Sequence, residues 1–108
     1  MSALTLGNLQ DRIDDWVRAH GGYFPPLAQV ARLTEELGEI ARAANARWGG
    51  KTPKPGEAPV DLGTEIGDLL FVLACLANQA GVRLDAAAEE ALARTAGRDG
   101  SRFRDLGG

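Results

Sequence analysis

From Leu69 to Ala77 the chain reads Leu-Leu-Phe-Val-Leu-Ala-Cys-Leu-Ala, and on a helical wheel this stretch is apolar nearly all round. Asp61 stands ahead of it as a helix N-cap and Gly81 behind it as a stop, so the run belongs to a helix ending near Ala80. A helix with no polar side must be covered on every side, which makes it the centre of its domain. The run is far too short to span a bilayer. Two carboxylates enter this helix: Glu65 projects between Val72 and Leu76, and Asp68 lies close to Cys75. A charge along such a face acquires a counter-ion or a proton, because an unpaired one is too costly.

The remaining segments repeat at helical period. Leu6, Leu9, Ile13, Trp16 and Val17 predict a first helix from about Thr5 to Ala19, ended by His20-Gly21-Gly22. Pro25 and Pro26 suit the start of a second, running to about Arg47 with Val30, Leu33, Leu37, Ile40 and Ala44 on one stripe. The stretch 48–59 carries three glycines, three prolines, Lys51 and Lys54, and reads as a loop. A fourth helix is expected from Asp85, as N-cap, through about Gly97. No segment alternates with period two, so the chain reads as all-α.

At 108 residues this is one domain, 1–108, with a core over about 5–97 and a basic, then glycine-rich tail over 98–108. The net charge of -3 argues against a nucleic-acid polymer as partner. Cys75, the single cysteine, sits inside the apolar run and reads as a buried small hydrophobe. Residues 1–15 lack the pattern of a secretory signal, and no membrane association is expected; a cytoplasmic protein fits.

Glu65-Ile66-Gly67-Asp68 has a counterpart in Glu35-Glu36-Leu37-Gly38-Glu39, with 25 residues between Glu39 and Glu65. Acids three apart share a helix face, and the gap lets two antiparallel helices aim four carboxylates at one point. Like charges at this spacing cost roughly 0.2–0.5 kcal/mol per pair, a cost that a bound cation removes. Gly38 and Gly67 each precede the last acid of their quartet, a matched position that favours close helix approach. His20, the only histidine, falls at a helix end and reads as a helix-terminal residue rather than a ligand. Oxygen-only ligands favour Mg2+, with Mn2+ as substitute.

These motifs resemble those of the all-α nucleotide pyrophosphohydrolases of the MazG type, E-E-x-x-E followed by E-x-x-D. The resemblance continues in Ala31-Arg32-Leu33, Leu69-Leu70-Phe71, Leu76-Ala77-Asn78, Arg98-Asp99 and Arg102-Phe103, over roughly residues 23 to 104. It implies a four-to-five-helix bundle of the all-alpha NTP pyrophosphatase type, completed by oligomerisation. It also implies Mg2+-dependent hydrolysis of a nucleoside triphosphate between the α and β phosphates, giving a nucleoside monophosphate and pyrophosphate. Carried over, Glu36, Glu39, Glu65 and Asp68 are the metal ligands. Glu35 either activates the attacking water or is an exposed acid.

Lys51 and Lys54 either contact phosphates or are solvated loop lysines. Arg98 and Arg102 match late basic positions that reach phosphates, including those bound by a neighbouring subunit. The chain departs from short members of the family at Arg94-Thr95-Ala96-Gly97, where a lysine is frequent. Asn78 either bonds the nucleotide or packs helices. Tyr23, Phe24 and Trp48 are placed to stack on a base, whereas the spacing of Trp16 reads as core.

The expected protein is thus a homo-oligomer, dimer or tetramer, that hydrolyses canonical or aberrant triphosphates in a house-cleaning role. Phosphoribosyl-ATP pyrophosphohydrolase has a similar acidic motif but tends to carry a histidine soon after the second quartet, where this chain has Leu70-Phe71-Val72. A non-catalytic helical interaction module with a structural metal site is the rival of another class.

Overall fold

The computed structural model describes residues 3–50, 54–57 and 61–105, of which 99–105 are described as backbone alone. Four helices and no strand are present among the described residues: α1 (Leu6–Ala19), α2 (Pro26–Trp48), α3 (Leu62–Ala80) and α4 (Leu84–Asp105).

Local chemistry sets most of the ends. Thr5 and Asn8 form a reciprocal capping box at the start of α1, with Thr5 Oγ1 accepting from Asn8 N at 3.1 Å and Asn8 Oδ1 from Thr5 N at 2.7 Å. Asp61 caps α3 by accepting from the backbone N–H of Thr64 at 2.8 Å, as the sequence predicts. These bonds to Thr64 hold the Asp61 carboxyl below its usual range. Gly81 closes α3 in the left-handed region at φ 69.

α3 lies between α2 and α1, and its residues Ala74 and Cys75 form the core with Ile13 and Val17 of α1. Leu9, Tyr23, Phe71 and Leu84 pack around them. Cys75 is buried, and burial pushes its thiol pKa up, consistent with an inert hydrophobe.

Several expectations are corrected. Trp16 is 55% exposed, while Gln10, a polar residue, is buried on α1. Gln10 is buried because its amide is fully used: it donates to Asn78 Oδ1 and Val82 O and accepts from Leu84 N at 2.7 Å. That last bond makes a side chain of α1 the cap of α4. Asp85 is therefore not the N-cap but lies inside the first turn of α4, and α4 continues past Gly97 to Asp105.

On α2 the buried residues are Gln29 and Ala43. The expected stripe members Val30 and Leu37 are 45% and 59% exposed. Among the described residues, no atom outside the local helix backbone comes within 4 Å of a Cβ at Gly38 or Gly67, so close approach between those residues does not explain these glycines. Close approach occurs instead at Gly7, where a Cβ would stand 2.8 Å from Asp85 Oδ2 at the contact of α1 with α4 and force that side chain to shift.

α4 turns away from α3 by 102° and packs mainly on α1. The Cα radius of gyration, 17.0 Å, exceeds the roughly 13 Å of a compact domain of this length. No single helix among the described residues is long and apolar enough to cross a membrane.

Candidate functional site

The packing of α2 on α3 brings the two acidic quartets together. Glu36, Glu65 and Asp68 each offer one carboxylate oxygen, and the three lie within 4.8 Å of one another. Glu36 and Glu65 are half-buried and Asp68 is exposed, so the acids sit at the rim of the helix pair rather than along its core. The Glu65 pKa is raised, first by loss of water and then by the charges of Glu39, Asp68 and Glu36. A cation among these oxygens removes that repulsion, and an all-carboxylate set suits a hard divalent ion.

Glu39, expected as the fourth ligand, is not among the three oxygens that converge. Arg42 pairs with it at 3.2 Å and also reaches Glu57 at 3.3 Å. The guanidinium thus bridges α2 to the loop before α3. Glu35 is exposed and stands outside the cluster.

One turn from Glu36 towards the start of α2, a cleft of about 340 Å³ opens between the end of α1, the α1–α2 loop, α2 and α3. Its walls include Trp16, His20, Tyr23, Phe24, Gln29, Arg32 and Phe71. Arg32 precedes Glu36 by four residues and Phe71 follows Asp68 by three, so cleft and acids share one face of the α2–α3 pair about 4.5–6 Å apart along the helices. The size and mixed apolar and polar lining suit a small ligand.

Trp16 stacks on His20 with centroids 4.2 Å apart and meets Phe71 edge-on at 6.2 Å. Tyr23 anchors the loop: its hydroxyl donates to Asp14 Oδ1 at 2.6 Å and accepts from Asn78 Nδ2 at 3.1 Å. Burial and the bond to Asp14 push the Tyr23 pKa up to about 12. The Tyr23 hydroxyl and then Arg18 hold the Asp14 carboxyl below its usual range. Arg32 lies over the Phe24 ring at 5.1 Å and donates to Gln29 Oε1 at 3.0 Å.

The other expected substrate contacts are scattered. Asn78 is engaged inside the fold, its Nδ2 donating to both Gln10 O and Tyr23 and its Oδ1 accepting from Gln10, which is the helix-packing alternative. Trp48 is 69% exposed at the end of α2 with Arg47 over its ring at 5.0 Å, away from the cleft. Lys54 is exposed in the loop, and Arg98 is exposed on α4. Lys51 and the side chain of Arg102 lie outside the described residues.

Sequence reasoning passed over Gln29 and Arg42 and gave Arg32 a place in the family resemblance but no role. The helical spacing 29, 32, 36 carries a signal for Gln29 and Arg32, since it sets both on the face of Glu36.

Residues 24–103 match the model of the MazG nucleotide pyrophosphohydrolase domain. The Bacillus subtilis (strain 168) protein YpjD, itself uncharacterised, is 43% identical over 104 residues, covering 95% of this chain and 94% of YpjD. Its crystal structure superposes with a TM-score of 0.76 at 44% identity, over 87% of this chain and 97% of that one. The crystal structure of the Bacillus-conserved MazG protein, a nucleotide pyrophosphohydrolase, gives 0.73 at 36% identity, over 87% and 91%. With the acidic quartets joined across two helices and the match spanning most of its length, the chain belongs to the MazG family of nucleotide pyrophosphohydrolases.

Proposed function

We propose that the protein is a Mg2+-dependent nucleoside triphosphate pyrophosphohydrolase that yields a nucleoside monophosphate and pyrophosphate, clearing aberrant triphosphates among others. The convergence of Glu36, Glu65 and Asp68 within 4.8 Å carries this reading. These three would hold the ion, with Glu39 as a fourth ligand. Mg2+ held there would neutralise charge on the phosphate oxygens and lower the pKa of water, and Mn2+ would be able to replace it.

Water attacks the α phosphorus, the bond from that phosphorus to the α–β bridging oxygen breaks, and pyrophosphate leaves with the electron pair. Glu35 accepts the proton of the attacking water, a role supported by its motif position beside Glu36. Lys51, Lys54, Arg98 and Arg102 bind phosphates, some from a neighbouring copy.

The protein acts as a homo-oligomer, dimer or tetramer. Support comes from the large radius of gyration and from the exposure of Leu27, Val30, Leu37, Ile66 and Leu92, large apolar side chains that a second copy would cover.

Titration calorimetry is expected to find Mg2+ binding that Glu65→Gln and Asp68→Asn abolish, and a triphosphate panel to release pyrophosphate. Mg2+ binding indifferent to both variants, or release of orthophosphate alone, overturns the proposal.

A further inference from the structure

The cleft beside the carboxylates contains a polar group whose hydrogen-bonding capacity the fold leaves unused. Gln29 is 1% exposed and lines the cleft. Its amide orientation is set by Arg32, because a guanidinium only donates and so requires Oε1 to face it at 3.0 Å. Nε2 is thereby left as the free end, with no hydrogen bond to a described residue, and it is not sealed from solvent: the one sealed side-chain atom without a partner among the described residues is Gln79 Oε1. Buried amides are ordinarily satisfied, as that of Gln10 on α1 is.

Arg32 adds a second observation. It lines the same cleft half-buried, packed over Phe24, and has no carboxylate partner among the described residues. This wall therefore presents N–H donors from two neighbouring side chains. The opposite side presents aromatic surface from Trp16 and Phe71. The Tyr23 hydroxyl is already spent on Asp14 and Asn78, and the His20 ring, also on the cleft wall, engages Trp16 O through Nδ1 at 2.7 Å.

We infer that Gln29, together with Arg32, determines which base the enzyme accepts, by donating to a base edge that carries two adjacent acceptors. Cytosine offers such an edge in O2 and N3, and guanine in O6 and N7. Adenine places its amino group beside N1 and N7, and uracil places N3–H between its oxygens. Each of the latter sets a donor against a donor, leaving a buried N–H unpaired. The inference rests on the pyrophosphohydrolase reading above and specifies its substrate class: cytosine or guanine triphosphates in preference to those of adenine and uracil.

The test measures kcat/KM for pyrophosphate release from CTP, GTP, ATP and UTP with the wild type, Gln29→Glu and Gln29→Met. A site built around such hydrogen bonds discriminates by at least about tenfold. The wild type is expected to favour CTP or GTP over both ATP and UTP by that factor, and the two arms identify which acceptor edge is read. Gln29→Glu, which exchanges the free donor for an acceptor, is expected to lower kcat/KM for the favoured base tenfold or more, chiefly through KM. Gln29→Met is expected to level the panel. Mg2+ affinity is expected to stay unchanged in both variants, separating base recognition from damage to the carboxylate site.

A base ranking that is the same in wild type and both variants overturns the inference. If the wild type cleaves none of the four, the parent reading fails, and calorimetry with CMP, GMP, AMP and UMP decides the inference separately. Preferential binding of CMP or GMP that Gln29→Glu removes sustains it. Equal binding of all four to the wild type overturns it.

Discussion

Replacing Tyr23 with phenylalanine removes one oxygen from the wall of the cleft and leaves the ring in place. The hydroxyl donates to Asp14 Oδ1 at 2.6 Å and accepts from Asn78 Nδ2 at 3.1 Å, tying the α1–α2 loop to both α1 and α3. Neither partner is stranded by the change: Asp14 retains Arg18 at 3.0 Å, and Asn78 Nδ2 retains Gln10 O at 3.0 Å. The loss is therefore that of one strong and one ordinary hydrogen bond, about 1–2 kcal/mol. Burial raises the Tyr23 pKa first and the bond to Asp14 second, so only part of its rise to about 12 reports the hydrogen bond.

The sign with pH follows. The folded-state pKa lies above the unfolded one, so the hydroxyl stabilises the fold fully below pH 10 and loses that effect as the pH rises towards about 12. Urea denaturation at fixed protein concentration is expected to show Tyr23→Phe unfolding about 1 M earlier at pH 7, with the gap closing above pH 10. Because Gly22 and Phe24 also line the cleft, the variant is expected to raise KM more than it lowers kcat. Coincident denaturation curves at pH 7, or a gap that widens above pH 10, refute the reasoning.

Arg42→Ala releases Glu39 from its ion pair. Since the pair is about half exposed on both sides, stability is expected to change by no more than about 0.5 kcal/mol, while Mg2+ affinity rises several-fold as Glu39 becomes available. Calorimetry checks this, and unchanged or weaker Mg2+ binding counts against a place for Glu39 in the ligand set. Gly38→Ala and Gly67→Ala put a methyl where nothing lies within 4 Å, so each is expected to stabilise the protein by about 0.5–1 kcal/mol. A lower melting temperature accompanied by a smaller particle in light scattering contradicts that, and places another copy of the chain against these glycines.

The parts of this fold legible in the sequence are those governed by neighbours in the chain. The capping residues Asp61 and Gly81, the breaks at His20-Gly21-Gly22 and the four helices follow from local hydrogen bonding and helical period. The acidic quartets were legible for the same reason, because a spacing of three sets two acids on one side of one helix. The rotation of each helix was not. Period alone placed Trp16 inside and Val30 and Leu37 on the buried stripe, whereas the structure buries Gln10 and Gln29. A polar side chain enters the interior when tertiary partners use its hydrogen bonds or a cleft leaves room for them, and neither condition is written in hydropathy.

By itself, then, the sequence determined an all-α chain with a central apolar helix and two acid-bearing segments whose pairing pointed to a family. The tertiary structure decided which carboxylates converge. Glu36, Glu65 and Asp68 meet because of how α2 packs on α3, while Glu39 pairs with Arg42, which also reaches Glu57, a residue fifteen positions away. It also decided that α4 is capped by Gln10 of α1 rather than by Asp85. It opened the cleft in which Gln29 keeps an unspent donor. In each case the deciding interaction joins residues distant in sequence, whose meeting depends on packing rather than on local spacing.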